Sequence, residues 1–134
     1  MKFAAFALSL TVASMCFAKT PTEMAKAVTA EANKAIKAEK IEITEATKSR
    51  FSVLITYQLG AQVSRAKAKK DTEFIVRLIL KQLVADGRHP GPDDWVFVHA
   101  NAIQAAKGET RLGFISLGGS SYNFNFDRIE FDPN

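Results

Sequence analysis

The sequence predicts an α+β domain: an antiparallel sheet of about five strands with two helices packed mainly on one face. Three observations predict it. Five stretches carry strand signals, either period-two alternation or short apolar runs bounded by turn residues. Two longer stretches repeat their apolar residues at helical spacing. Short connections between neighbouring strands imply hairpins, which leave the helices on one side. The 134 residues allow one domain. Hydrophobic residues at 47% and charged residues at 24% are ordinary for a globular chain and exclude a disordered or fibrous one.

The chain opens with the parts of a cleaved secretory leader. Lys2 is positive, Phe3 to about Val12 is apolar, and Ala13-Ser14-Met15-Cys16-Phe17-Ala18 places small residues before a cut after Ala18. The apolar run is shorter than the ~20 residues a membrane-spanning helix needs. Lipidation of Cys16 is disfavoured by Met15, which stands where a small residue is expected. The expected division is therefore a signal peptide over 1–18 and a single domain over 19–134. Cys16 is the only cysteine, so the mature chain has no thiol for a disulfide, a nucleophile or a metal. An exported protein is expected, periplasmic or secreted, and the lack of disulfides favours the periplasm.

Thr20-Pro21-Thr22-Glu23 is a helix start with a capping box, and Met24, Val28, Ala32 and Ile36 mark a narrow apolar stripe. The spacing predicts a helix over about 21–39. Ile41 and Ile43 alternate with Glu42 and Thr44 as a short strand. Phe51, Val53, Ile55, Tyr57 and Leu59 then give the cleanest alternation in the chain. A helical reading of 51–63 also fits some of these residues, but the β-branched and aromatic content favours a strand and a hairpin with 41–44. Asp71 is the expected cap of a core helix over about 72–86, with Phe74, Ile75, Leu78, Ile79, Leu83 and Val84 on its apolar face. Gly87 is its expected terminator.

Residues 88–94 read as a loop. Trp95-Val96-Phe97-Val98 is apolar on both faces, as a central buried strand would be. Asn101 to Lys107 fits either more strand or a short helix, ended by Gly108. Leu112 to Leu117 reads as a strand and Gly118-Gly119 as a turn. Tyr122 to Phe131 reads as the last strand, with a bulge near Asp127-Arg128 to keep its apolar residues on one face.

No catalytic constellation emerges. His89 lies in a Pro/Gly loop. His99, in phase with Trp95 and Phe97, is the one acid–base candidate, and it requires an acidic partner from another element. His89, His99, Asp93 and Asp94 match no compact ligand spacing, so no metal or other cofactor is expected. Ser116 misses a G-x-S-x-G elbow by one residue. Gly118 to Ser121 offer backbone N–H groups to an anion, but a hairpin turn explains them better.

Arg65, Lys67, Lys69 and Lys70 form the densest basic run, a candidate contact for an anionic surface. The net charge of +4 is too modest to argue for nucleic acid, and no aromatic residues interleave the run to stack bases. Tyr122, Asn123 and Asn125 give the last strand alternating aromatic and amide groups suited to peptide or sugar contacts. The leading expectation is a non-enzymatic binding or adaptor protein that recognises a protein partner through its sheet face or an open edge. Two alternatives stand beside it: a small exported hydrolase using His99 with an acidic partner, and a polyanion-binding protein using residues 65–70.

Overall fold

In the computed structural model the described residues are 19–107 and 112–133. The leader over 1–18 and the break expected at Gly108 lie outside them. The order is α1 (Pro21–Ala35), β1 (Lys40–Ala46), β2 (Arg50–Tyr57), α2 (Arg65–Ala85), β3 (Phe97–Lys107), β4 (Leu112–Asn123) and β5 (Arg128–Asp132). The five strands form one sheet in the order β1-β2-β3-β4-β5. The domain is α+β, and its sheet is mixed. β1–β2, β3–β4 and β4–β5 are antiparallel, whereas β2 and β3 run parallel. The expected all-antiparallel sheet fails at this pair for a topological reason. A helix between two adjacent strands carries the chain back to its starting end, so the second strand must run the same way as the first.

α1 starts as the capping box prescribes: Thr20 Oγ1 accepts from Glu23 N at 3.2 Å, and Glu23 Oε2 accepts from Thr20 N at 3.3 Å. It ends at Ala35, four residues earlier than the periodicity predicts. The backbone is already extended at Ile36, and by Glu39 its N–H donates to Thr56 O at 2.9 Å, beginning the pairing with β2. Met24, Val28, Ala32 and Ile36 are all buried, so the narrow stripe docks firmly against β1 and α2.

α2 begins seven residues before the expected position. Ser64 is its cap, its hydroxyl accepting from Lys67 N at 3.1 Å. The basic run 65–70 is therefore the first turns of the core helix, and Asp71 lies inside it. Ala68, Thr72, Ile75, Val76, Ile79 and Leu83 face the sheet, mainly β3 and β4. Val84, expected on that face, is exposed. At the far end Gly87 adopts φ +87°. Its N–H bonds Val84 O and that of Arg88 bonds Leu83 O, both at 3.0 Å, a Schellman closure.

The alternation in β2 is realised as a strand: Phe51, Val53, Ile55 and Tyr57 are buried beneath the helices, while Ser52, Leu54 and Thr56 turn away. Leu59 falls beyond the strand and is exposed. β3 is central as expected and continues through 101–107. It is apolar-buried on one face only. Val96, Val98, Ala100 and Ala102 point into the core, and Trp95 and Phe97 point out.

β4 is longer than the alternation indicated. The expected turn at Gly118-Gly119 is a bulge within one strand: Ala102 pairs with Gly118 and Ile103 with Ser116, leaving Leu117 as the extra residue. Gly118 has φ +105°, and a Cβ there would sit 2.6 Å from Asp132 O and from the Phe131 ring. The expected bulge at Asp127-Arg128 is in turn the end of a hairpin between Asn123 and Arg128, with Asp127 at φ +47°.

Two buried polar contacts fasten α2 to the sheet. Tyr57 OH donates to Asp71 Oδ2 at 2.6 Å, and Lys67 Nζ donates to the same oxygen at 2.6 Å. Thr72 and Ser120 share a hydrogen bond at 2.7 Å between α2 and β4. Both satisfy polar groups that burial would otherwise penalise.

Candidate functional site

Both helices pack on one side of the sheet, so the opposite side is left uncovered. Register decides what it presents. His99 stands between Ser52 of β2 and Ser121 of β4, and Ser121 in turn faces Glu130 of β5. One row further along, Asn101 stands between Leu54 and Gly119. At the other end of β3, Phe97 pairs with Arg50, whose guanidinium stacks on the Phe97 ring at 4.9 Å. Trp95 meets Phe97 edge-to-face at 5.5 Å, and Phe124 meets Phe97 the same way at 5.7 Å. Trp95 is 51% and Phe97 42% exposed. A cleft of about 100 Å³ between Arg50, Ser52, His99 and Ser121 lies beside this cluster.

His99 is half-buried. Burial, and secondarily the positive charge of Arg50, lower its pKa below the ordinary histidine value. Asn101 Nδ2 lies 3.1 Å from Nε2, an amide that can donate to a neutral ring. Among the described residues, the groups brought to the ring are an amide and a cation. Asp94 is engaged elsewhere: Arg88 holds both its oxygens, at 2.6 and 3.2 Å, and lowers its pKa. His89 N donates to Asp94 Oδ2 at 3.2 Å, which makes this a folded loop. Among the described residues no three His, Cys, Asp or Glu side chains gather as a metal site would require.

The basic run is divided by the helix it belongs to. At 100° per residue, Arg65 and Lys69 share one side of α2, and Lys67 and Lys70 lie on the other. Lys67 is held by Asp71, Lys69 pairs with Glu73 at 4.0 Å, and Arg65 donates to Pro133 O. Lys70 is exposed.

The Tyr122, Asn123 and Asn125 trio does not form one face. Tyr122 is 5% exposed, and its hydroxyl reaches Pro90 O at 3.0 Å and Asp127 Oδ1 at 2.9 Å. Burial first, then Asp127, push its pKa up to about 12. Asn123 Oδ1 accepts from Asn125 N at 3.1 Å, closing the turn, and Asn123 Nδ2 donates to Glu130 at 3.2 Å. These amides shape the β4–β5 hairpin. Ser116 lies exposed on β4, and Gly118 to Ser121 are paired within the sheet.

Sequence reasoning passed over Arg50 and assigned Trp95 and Phe97 to a buried central strand. A signal was present: Trp95 and Phe97 are in phase with His99 and Asn101, so the polar end of that phase marks the aromatic end as outward-facing too.

A groove of about 600 Å³ runs between α1 and the free edge of β1, walled by Ala25, Thr29, Ala30, Asn33 and residues 43–46. That edge is poorly suited to accept another strand. Thr44 bulges out of register, and Lys40, Glu42 and Glu45 are charged. Among the described residues no helix is long and apolar enough to cross a membrane. No protein-family model, curated protein or solved structure matches the chain.

Proposed function

We propose that this is an exported, non-enzymatic binding protein that engages a protein partner through the uncovered face of its sheet. The observation that carries the reading is the solvent-facing cluster of Trp95 and Phe97, with Arg50 stacked on it, on a face neither helix covers. Tryptophan, other aromatics and arginine are the residues that dominate protein–protein binding energy when a partner seals them from water. The polar rows around Ser52, Asn101, Ser121 and Glu130 supply a rim of hydrogen-bonding groups. The face is preferred over the β1 edge because that strand, bulged and charged, resists strand addition. Export follows from the leader pattern over 1–18, which makes a component of the cell envelope or exterior the natural partner.

The test is site-specific photo-cross-linking in cells. A cross-linker at Ser52 or Ser121 should yield one discrete adduct that Trp95→Ala abolishes, and one at Lys81 on α2 should not. Adducts that form equally from the helix side, or that persist without Trp95, overturn the reading.

A further inference from the structure

The cleft beside the aromatic cluster is furnished for a negative charge. Its walls bring together the guanidinium of Arg50, the hydroxyls of Ser52 and Ser121 and the imidazole of His99, with the Phe97 ring alongside. All four polar groups can donate a hydrogen bond. No carboxylate is among the described residues that line the cleft. The guanidinium is placed by its stacking on Phe97, 4.9 Å from the ring centre. Its ion-pair partner, Glu45 of β1, stands 3.8 Å from Nε, and both side chains are about half exposed. A contact that long and that wet does little to neutralise the cation.

The remaining charges around His99 are engaged outside the cleft. On the β4 side Ser121 pairs with Glu130 of β5, whose carboxylate accepts from Arg128 at 2.7 Å and from Asn123 at 3.2 Å. On β3 itself Asn101 meets the ring with its amide. Burial, and then Arg50, disfavour a proton on that ring. An anion seated between Arg50 and His99 reverses the balance, because it offsets the first cation and favours a second. A flip of the Asn101 amide then offers its oxygen to the protonated ring.

We propose that this cleft receives the carboxylate of an aspartate or glutamate side chain of the protein partner, while an apolar neighbour of that residue covers Trp95 and Phe97. Arg50 and the two serines hold the carboxylate through hydrogen bonds, the guanidinium's being charge-assisted. His99 takes up a proton as the complex forms. By linkage the partner binds more tightly as the pH falls toward 5.5, where a carboxylate is still ionised. The inference rests on the reading of the uncovered face and adds the chemistry of the group that docks there.

The test uses phenylacetate, which joins a ring to a carboxylate, and phenylacetamide as its uncharged control. Both are titrated against the intact protein while the His99 ring is followed by NMR, assigned with His99→Gln. The acid should bind about tenfold more tightly than the amide. It should raise the His99 pKa and leave that of His89 unmoved. Arg50→Gln should remove both effects. Should Arg50→Gln fail to fold, the pH profile decides: the acid's Kd should fall from about pH 7.5 to about pH 5.5 in the native chain and stay flat in His99→Gln. Equal binding of acid and amide, binding of neither, or an unmoved His99 overturns the inference, and the Trp95-dependent adduct then still decides the face reading by itself. A preference for the acid with no Trp95-dependent adduct in cells overturns the partner instead, and makes the occupant a free carboxylic acid.

Discussion

The two faces of the sheet are made by the same strands, yet they obey different rules. On the covered face the side chains interlock with α1 and α2: Phe51, Val53, Ile55, Tyr57, Val98, Ala100 and Ala102 are sealed from water. The uncovered face puts its largest rings, Trp95 and Phe97, where water reaches them, and surrounds them with serine, asparagine, histidine and charge. Ala100 and Ala102 keep β3 thin on the helix side, so α2 lies close. The bulky Phe97 of the same strand, and Trp95 just before it, go to the side with no helix to receive them. Hydrophobicity alone would assign these residues the other way round. The difference teaches that in β3 residue size against the space left by α2, not apolarity alone, sorts the two faces.

The comparison breaks first, and hardest, on the covered face. Ile75→Ala in α2 removes a sealed side chain packed between helix and sheet and is expected to cost about 3 kcal/mol in denaturant unfolding. A cost well under 1 kcal/mol would mean that the helix does not pack where the structure puts it. Gly118→Ala tests the bulge in β4, next to the residues that pair with β3 and β5 at once. Positive φ and contact with Asp132 O and Phe131 set an expected cost of about 2 kcal/mol, read in the same assay. Tyr57→Phe tests the polar clamp across the parallel crossover. Burial, reinforced by the Asp71 hydrogen bond, drives the Tyr57 pKa far up, so the hydroxyl remains a donor throughout the accessible pH range. Its loss leaves Asp71 with Lys67 alone and is expected to cost about 1.5 kcal/mol.

What the sequence disclosed follows the same division. Period-two alternation in 51–57, the stripe Met24-Val28-Ala32-Ile36 and the Thr20 capping box were legible because each is a local rule, settled within a few residues. The parallel pair was not, because strand direction depends on where α2 returns the chain, and no residue in β2 or β3 records it. The start of α2 was hidden by Asp71, which resembles a cap but is buried to receive Tyr57. Gly118-Gly119 resembles a hairpin turn because a bulge and a turn both require φ > 0 at glycine. Of the candidate face, His99 was found by chemistry. Trp95 and Phe97 were assigned to the core because Val96 and Val98 share their segment and mask the phase.

On the uncovered face the expected effects on folding are smaller, and that contrast is itself a prediction. Trp95→Ala removes one edge-to-face contact and half-exposed area, so it should change stability by about 1 kcal/mol while abolishing partner cross-linking. A Trp95 variant that unfolds the protein would move this residue from the interface to the core.

The smallest effect comes from His99, and pH isolates it. Its pKa is lowered in the folded protein by burial and then by Arg50. Between the folded value and the ordinary ~6.5 the unfolded chain therefore binds more protons, and stability rises with pH there. Lowering the pH from 7 should begin to weaken the fold near 6.5, with the loss complete once the pH is below the folded value. Asp94 and Glu130, whose pKa values are depressed by Arg88 and Arg128, act in a separate window. Their stabilisation holds above the ordinary carboxylate value and is lost only as the pH falls through their lower folded values. His99→Gln should flatten the urea midpoint between pH 7 and 5 and leave the acid limb unchanged. Arg50→Gln should flatten it only partly, since burial is the larger cause. If the midpoint of the native chain is already flat across that window, the ring is as freely solvated as a surface histidine. The uncovered face would then be wetter at its centre than its geometry indicates.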